Sequence, residues 1–128
     1  PGTDAPYREH SIYRTSQKEP CDFYIIMMGT NDAKNAYWDP EQFRTEFLDF
    51  VQDYQNLASA PQIYLMTPVT VYVVEGQETV NFDINADNLD QAAQIVSEIA
   101  EELDLPLIDI HALTAGHPEW FADGVHPR

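Results

Sequence analysis

Phe23-Tyr24-Ile25-Ile26-Met27-Met28-Gly29-Thr30-Asn31-Asp32 is the stretch on which the reading of this chain turns. It is an apolar run of strand length that breaks abruptly into a polar turn. A run without polar alternation predicts a strand buried on both faces, as in the middle of a parallel sheet. Ligands of α/β folds sit just past the carboxyl ends of such strands. Gly29, Thr30, Asn31 and Asp32 are therefore candidate site residues. The same four residues also suit a plain strand-to-helix turn, and this segment alone does not separate the two readings.

Working outward, Asp39-Pro40-Glu41-Gln42 predicts a helix start. Asp39 can cap, Pro40 suits the first helical position, and Gln42 has capping-box spacing. Phe43, Phe47, Phe50, Val51, Tyr54 and Leu57 share one face, so a helix over about 40–57 packs on a sheet. This aromatic stripe reads as core rather than as a cofactor box. Ala60-Pro61 ends it, and Gln62 to Thr67 predicts a second buried strand. Strand, helix, strand at this spacing is a right-handed unit with parallel strands. Thr67-Pro68-Val69-Thr70 then lies on the same sheet edge as Gly29 to Asp32. Residues 71–80 carry two readings: a small hairpin across Gly76 that walls a pocket, or a surface excursion. Asn85 or Asp87 opens a second helix with Leu89, Ala92, Ala93, Val96, Ile99, Ala100 and Leu103 on one face. Leu105 to Ile110 predicts a third strand, and His111 to Arg128 a loop with a short turn around Pro118-Glu119-Trp120-Phe121. Upstream, Arg8 to Lys18 allows a short helix with poor apolar spacing, closed by Pro20. The alternation defines an α/β layered domain over residues 1–128, with its strand ends on one edge.

Composition narrows the function. Six basic against 22 acidic residues in 128 give a formal charge of −16. That repels phosphate backbones and anionic membranes, so neither nucleic acid nor a membrane surface is an expected partner. The acidity is spread along the chain, as on a solvated surface, and it mildly disfavours anionic substrates. No apolar run is long enough to span a membrane, and no signal peptide is seen. The single cysteine, Cys21, has no internal disulfide partner and reads as a half-buried structural thiol.

Asp123-Gly124-Val125-His126 is the second informative stretch. A carboxylate three residues before a histidine, across a glycine, can fold back and accept the Nδ1 proton. Nε2 is then left free as a general base. Taken alone, these residues also read as a surface Asp and His in an irregular tail. A metal reading draws on Asp109, His111, His117, Asp123 and His126, with Asp109 and His111 as a ligand pair at a strand end. A hydrogen-bonded, structural His111 is the competing reading. A non-catalytic flavodoxin-like binding module is a third possibility, and it leaves the Asp123/His126 pair unexplained. No cofactor motif is present, since Gly29 to Asp32 carries one glycine and no lysine.

A strand ending in Gly-Thr-Asn-Asp with a late Asp-Gly-Val-His-Pro resembles the SGNH, or GDSL-like, hydrolase family of esterases and lipases. Its third and fifth sequence blocks are Gly-x-Asn-Asp and Asp-x-x-His, and Pro20-Cys21-Asp22 resembles the entry to the third-block strand. The resemblance runs from about residue 18 to the end. It implies a three-layer α/β/α flavodoxin-like parallel sheet and carboxylic-ester hydrolysis. It further implies Asn31 as oxyanion donor, His126 as base with Asp123 orienting it, Gly29 as backbone clearance and Asp32 as a brace holding the turn through backbone N–H groups. Gly2 stands at about the distance of the family's second oxyanion donor. The family's Gly-Asp-Ser nucleophile block has no counterpart in this chain: Ser11 and Ser16 follow no apolar run, and Ser59 and Ser97 fall in or beside helices. The family also continues past His-Pro, whereas this sequence stops at Arg128. The expectation is a domain incomplete at both ends, inactive by itself, from a parent acting on a small ester. An acetylated carbohydrate is the expected substrate, with Tyr37, Trp38, Tyr72 and Trp120 as candidate sugar-facing aromatics. The sequence leaves the compartment undetermined.

Overall fold

The computed structural model describes residues 23–58 and 60–128. Three parallel strands, β1 (Phe23–Met27), β2 (Gln62–Met66) and β3 (Leu107–Ile108), form a sheet in the order β1-β2-β3. The register runs Phe23↔Gln62 to Met27↔Met66, then Leu65↔Leu107 and Met66↔Ile108. The expected helix at Arg8–Lys18, Cys21, Gly2, Ser11, Ser16 and Ser59 lie outside the described residues.

Helix α1 (Pro40–Gln55) follows β1, and α2 (Ala86–Glu102) follows β2. The Asp39 side chain caps α1 by accepting from the Gln42 amide at 3.1 Å. The Gln42 side chain donates to Glu46 instead of returning to the cap, so the capping box is half made. Asn85 caps α2 by accepting from the Asn88 amide at 3.0 Å. Both helices bury one stripe on the same sheet face. Phe43, Phe47, Phe50, Val51 and Tyr54 meet Ala92, Ile95, Val96, Ile99 and Ala100 over Ile26, Ile63 and Leu65. Arg44 of α1 pairs with Glu98 and Glu102 of α2 across the outer groove. These exposed pairs add little beside the apolar contact.

Two expectations change, and of the two readings open for residues 71–80 the hairpin falls. β1 is not enclosed on both faces by the described residues: Phe23, Ile25 and Met27 are 50–56 % exposed while Ile26 is buried. Both crossovers turn the same way, so both helices occupy one face, and period-2 alternation sends every second β1 side chain to the other. The third strand is two residues long, because Asp109 caps a further short helix, α3 (Ile110–Thr114), immediately after it. Residues 71–80 form no hairpin. Their one bridging amide of note, that of Tyr72, bonds the Gly124 carbonyl at 2.8 Å rather than a neighbouring strand.

Phe47 is fully buried between helices and sheet. Phe47→Ala is expected to cost about 3–5 kcal/mol in urea unfolding, while Arg44→Ala costs under about 1 kcal/mol.

Candidate active site

The parallel register places the ends of β1, β2 and β3 on one edge. After β1 the chain turns at Gly29, whose φ of +126° is a region that side chains rarely adopt. The Ala33 amide closes this turn on the Gly29 carbonyl at 3.0 Å. A Cβ on Gly29 would meet Ala92, Pro68 and Phe43, at 3.4 to 3.6 Å. Those are ordinary contact distances, so it is the positive φ rather than a lack of room that calls for glycine here. Asn31 is exposed on the turn, and Asp32 is buried beneath it.

Asp32 receives a backbone N–H, as the expected brace requires, at only part of its carboxylate. Its Oδ1 accepts no hydrogen bond from the described residues. Burial, with the Glu46 carboxylate adding to it, pushes its pKa from 3.8 up to about 6, against the pull of a backbone N–H.

The exit of β2 is sewn to α3. The buried Thr67 hydroxyl donates to Asp109 Oδ1 at 3.1 Å and accepts from the His111 amide at 2.9 Å. Asp109 Oδ1 also accepts from the Ala112 amide at 3.1 Å. His111 Nε2 meets Asp90 at 2.8 Å, and its Nδ1 meets the Pro68 carbonyl at 3.1 Å. Asp109 and His111 are thus engaged in holding the edge together. Among the described residues no three His, Cys, Asp or Glu side chains are grouped to hold a metal.

The loop after α3 carries the titratable pair. Asp123 Oδ2 lies 2.6 Å from His126 Nδ1, while Oδ1 accepts from the His126 and Val125 amides at 2.7 and 2.9 Å. Those amides and the imidazole hold the Asp123 carboxyl well below the usual carboxylate range. An ionised carboxylate can only accept, so Nδ1 carries the proton, and in the neutral ring Nε2 presents its lone pair. The His126 side chain is 70 % exposed, leaving that nitrogen accessible.

Long-range bonds fix the loop. Gly124 has φ +80°, and a Cβ there would stand 2.1 Å from the Tyr72 carbonyl oxygen. Tyr72 packs its ring on Phe121, donates its hydroxyl to the Thr114 carbonyl and accepts from the His117 amide. The Asn81 side chain donates to the Asp123 carbonyl at 2.8 Å. The same segment reaches the β1 turn, because Asn35 donates to Asp83 and the Asn85 amide donates to the Ala33 carbonyl at 3.1 Å. Ala33, Val71, Ile84, Leu89 and Val125 form a second apolar cluster beneath both. Asn31's turn and His126's loop are thereby anchored on one small core.

The sequence reading did not single out Asn81, Phe82 or Asp83. Phe82 lies with its ring centre 5.5 Å from that of His126, nearly perpendicular to it. Of the four candidate aromatics, Trp38 packs against the main core and donates to Gln91, and Tyr72 is turned inward. Tyr37 and Trp120 are 36 and 40 % exposed, and His117 stacks on Trp120 at 3.9 Å.

Residues 3–128 match the model of a family described as GDSL-like lipase/acylhydrolase. An acetylxylan esterase of Xylanibacter ruminicola is 25 % identical over 151 residues, covering 98 % of this chain and 29 % of its own length. An Enterococcus faecalis lipase/acylhydrolase superposes with TM-score 0.64 at 22 % identity, over 83 % of this chain and 52 % of its own. A Geobacillus acetyl-xylooligosaccharide esterase superposes with TM-score 0.63 at 25 % identity, over 95 % and 57 %. The chain thus spans under a third of the curated relative and about half of these solved chains.

Two substitutions test the anchoring. Gly124→Ala forces a Cβ against backbone and is expected to lower stability by at least about 1–3 kcal/mol, read by thermal unfolding. Asp32→Asn tests the buried carboxyl. Its folded pKa is raised, so the folded state binds the extra proton between pH 3.8 and about 6, and stability falls as pH rises through that window. Relative to the wild type, Asp32→Asn should gain up to roughly 3 kcal/mol at pH 7–8 and nothing below pH 4.

Proposed function

This chain belongs to the GDSL-like lipase/acylhydrolase family, and we propose that it supplies the acid–base and oxyanion half of a carboxylic-ester hydrolysing centre. The observation that carries the reading is the 2.6 Å contact between Asp123 Oδ2 and His126 Nδ1, beside an imidazole 70 % exposed. That pair is built for a base that must face a substrate.

In the proposed reaction, His126 Nε2 takes the proton of a nucleophilic hydroxyl as its oxygen bonds the ester carbonyl carbon. The carbonyl oxygen becomes an oxyanion, toward which Asn31 directs its side-chain N–H. Gly2 is the proposed second donor. The imidazolium, balanced by the Asp123 carboxylate, returns the proton to the departing alcohol oxygen. Water then repeats the sequence on the acyl intermediate and releases the acid. Among the described residues the serine is Ser97, whose hydroxyl bonds the Ala93 carbonyl within α2. It is not placed to attack, and the proposed nucleophile is none of the four serines of this sequence, Ser11, Ser16, Ser59 and Ser97.

For substrate, we propose an O-acetylated neutral carbohydrate. The net charge of −16 disfavours anionic esters. The names of the Xylanibacter and Geobacillus relatives concern acetylated xylan and xylooligosaccharides.

Purified 1–128 is expected to give no burst with p-nitrophenyl acetate and no labelling by a serine-directed organophosphonate. Labelling at Ser11 or Ser16 would overturn the placement of the nucleophile. In the full-length protein, His126→Gln should abolish turnover with folding intact. Asn31→Ala should lower kcat by about 10²–10³ with little change in KM, as loss of one oxyanion donor does. Undiminished turnover in either variant would refute its role.

A further inference from the structure

Phe82 is a large apolar residue placed where neither packing nor backbone preference calls for one. Its φ is +63° and that of Asp83 is +60°, two consecutive left-handed residues. This conformation is unfavourable for a bulky side chain and far easier for Asn or Gly. The ring is 56 % exposed and belongs to neither apolar cluster. The fold nevertheless holds it from both sides. Asn81 is tied to the Asp123 carbonyl at 2.8 Å, and Asp83 to Asn35 by bonds of 3.0 Å through backbone and side chain. Strain that neighbouring bonds over-determine is concentrated at functional sites. Here it sets an exposed aromatic ring 5.5 Å from the imidazole of His126.

The chemistry of the pair says which part of a substrate this ring meets. The carbonyl oxygen belongs beside Asn31, whereas the histidine must reach the leaving oxygen to return its proton. A group flanking the histidine therefore flanks the alcohol portion of the ester rather than the acyl portion. We propose that Phe82 is a specificity-determining residue that forms the wall of the leaving-group subsite, its exposed ring covering the apolar face of the sugar. This rests on the proposed role of His126, and it adds that selection for the alcohol comes from an aromatic surface. Uncharged stacking of this kind suits a neutral saccharide on an acidic protein.

The test compares wild type, Phe82→Asn and Phe82→Tyr in the full-length protein. The measured quantity is the ratio of kcat/KM for an acetylated xylooligosaccharide to that for methyl acetate, which shares the acyl group but not the alcohol. Phe82→Asn should lower this ratio at least tenfold, Phe82→Tyr should keep it within threefold, and the Tm of Phe82→Asn should equal or exceed the wild type because strain is relieved. A ratio within twofold of wild type in Phe82→Asn overturns the proposal. So does equal loss on both substrates with a lowered Tm, which marks a purely structural residue. Binding of the deacetylated xylooligosaccharide, followed by NMR at the His126 ring, separates the two readings. If wild type cleaves no acetate ester, the ester assignment falls and the leaving-group subsite falls with it, even where Phe82-dependent saccharide binding shows that the ring meets a sugar. Saccharide binding that is absent, or indifferent to Phe82→Asn, overturns the proposed role of Phe82.

Discussion

The parallel pairing of β1 with β2, in register from Phe23↔Gln62 to Met27↔Met66, is the constraint from which the remaining geometry follows. Parallel pairing requires a crossover, and the crossover here is α1, whose aromatic stripe buries against Ile26, Ile63 and Leu65. Because the strands run the same way, the turn at Gly29–Asp32 and the exit at Thr67–Thr70 share one edge. β3 repeats the arrangement with only two residues and is followed at once by Asp109, which accepts from the Thr67 hydroxyl. An antiparallel pairing of the same strands would put the two exits at opposite ends and leave no common site.

Two carboxylates near that edge show how environment alone separates their behaviour. Asp123 is surrounded by donors, two backbone amides and an imidazole, and is held ionised. Asp32 is enclosed without a partner for Oδ1 and is pushed toward neutrality. The first suits the proposed role of Asp123, which is to balance the imidazolium of His126. The second places a stability cost directly beneath Asn31, at the turn where an oxyanion donor is proposed. Opposite shifts in neighbouring groups of one chemical type follow from hydrogen bonding in one case and desolvation in the other.

Much of this was legible in the residues. The caps at Asp39 and Asn85 were visible because capping is local, and the stripes of α1 and α2 because burial on a sheet imposes 3.6-residue spacing. The contact of Asp123 with His126 spans three residues and needs only a loop that folds back. Other readings failed for reasons outside any local window. The apolar run 23–28 implied enclosure on both faces, but side-chain pattern cannot report which face the helices choose. Residues 71–80 resembled a hairpin because Val71, Tyr72, Val73 and Val74 favour strands. Tyr72 instead spends its amide on Gly124 and its hydroxyl on Thr114.

The sequence by itself determined β1, α1, β2 and α2 in their order, the ends of β1 and β2, and the fold-back that brings Asp123 against His126. Each depends on side chains a few residues apart and on periodicities that secondary structure imposes. The tertiary structure alone decided which histidine is structural and which is exposed. His111 has both ring nitrogens occupied, while His126 turns outward. It also decided that Phe82 stands against His126. That contact is set by bonds such as Asn81 to Asp123, 42 residues apart in the chain, and no reading of neighbours along the chain contains a distance of that kind.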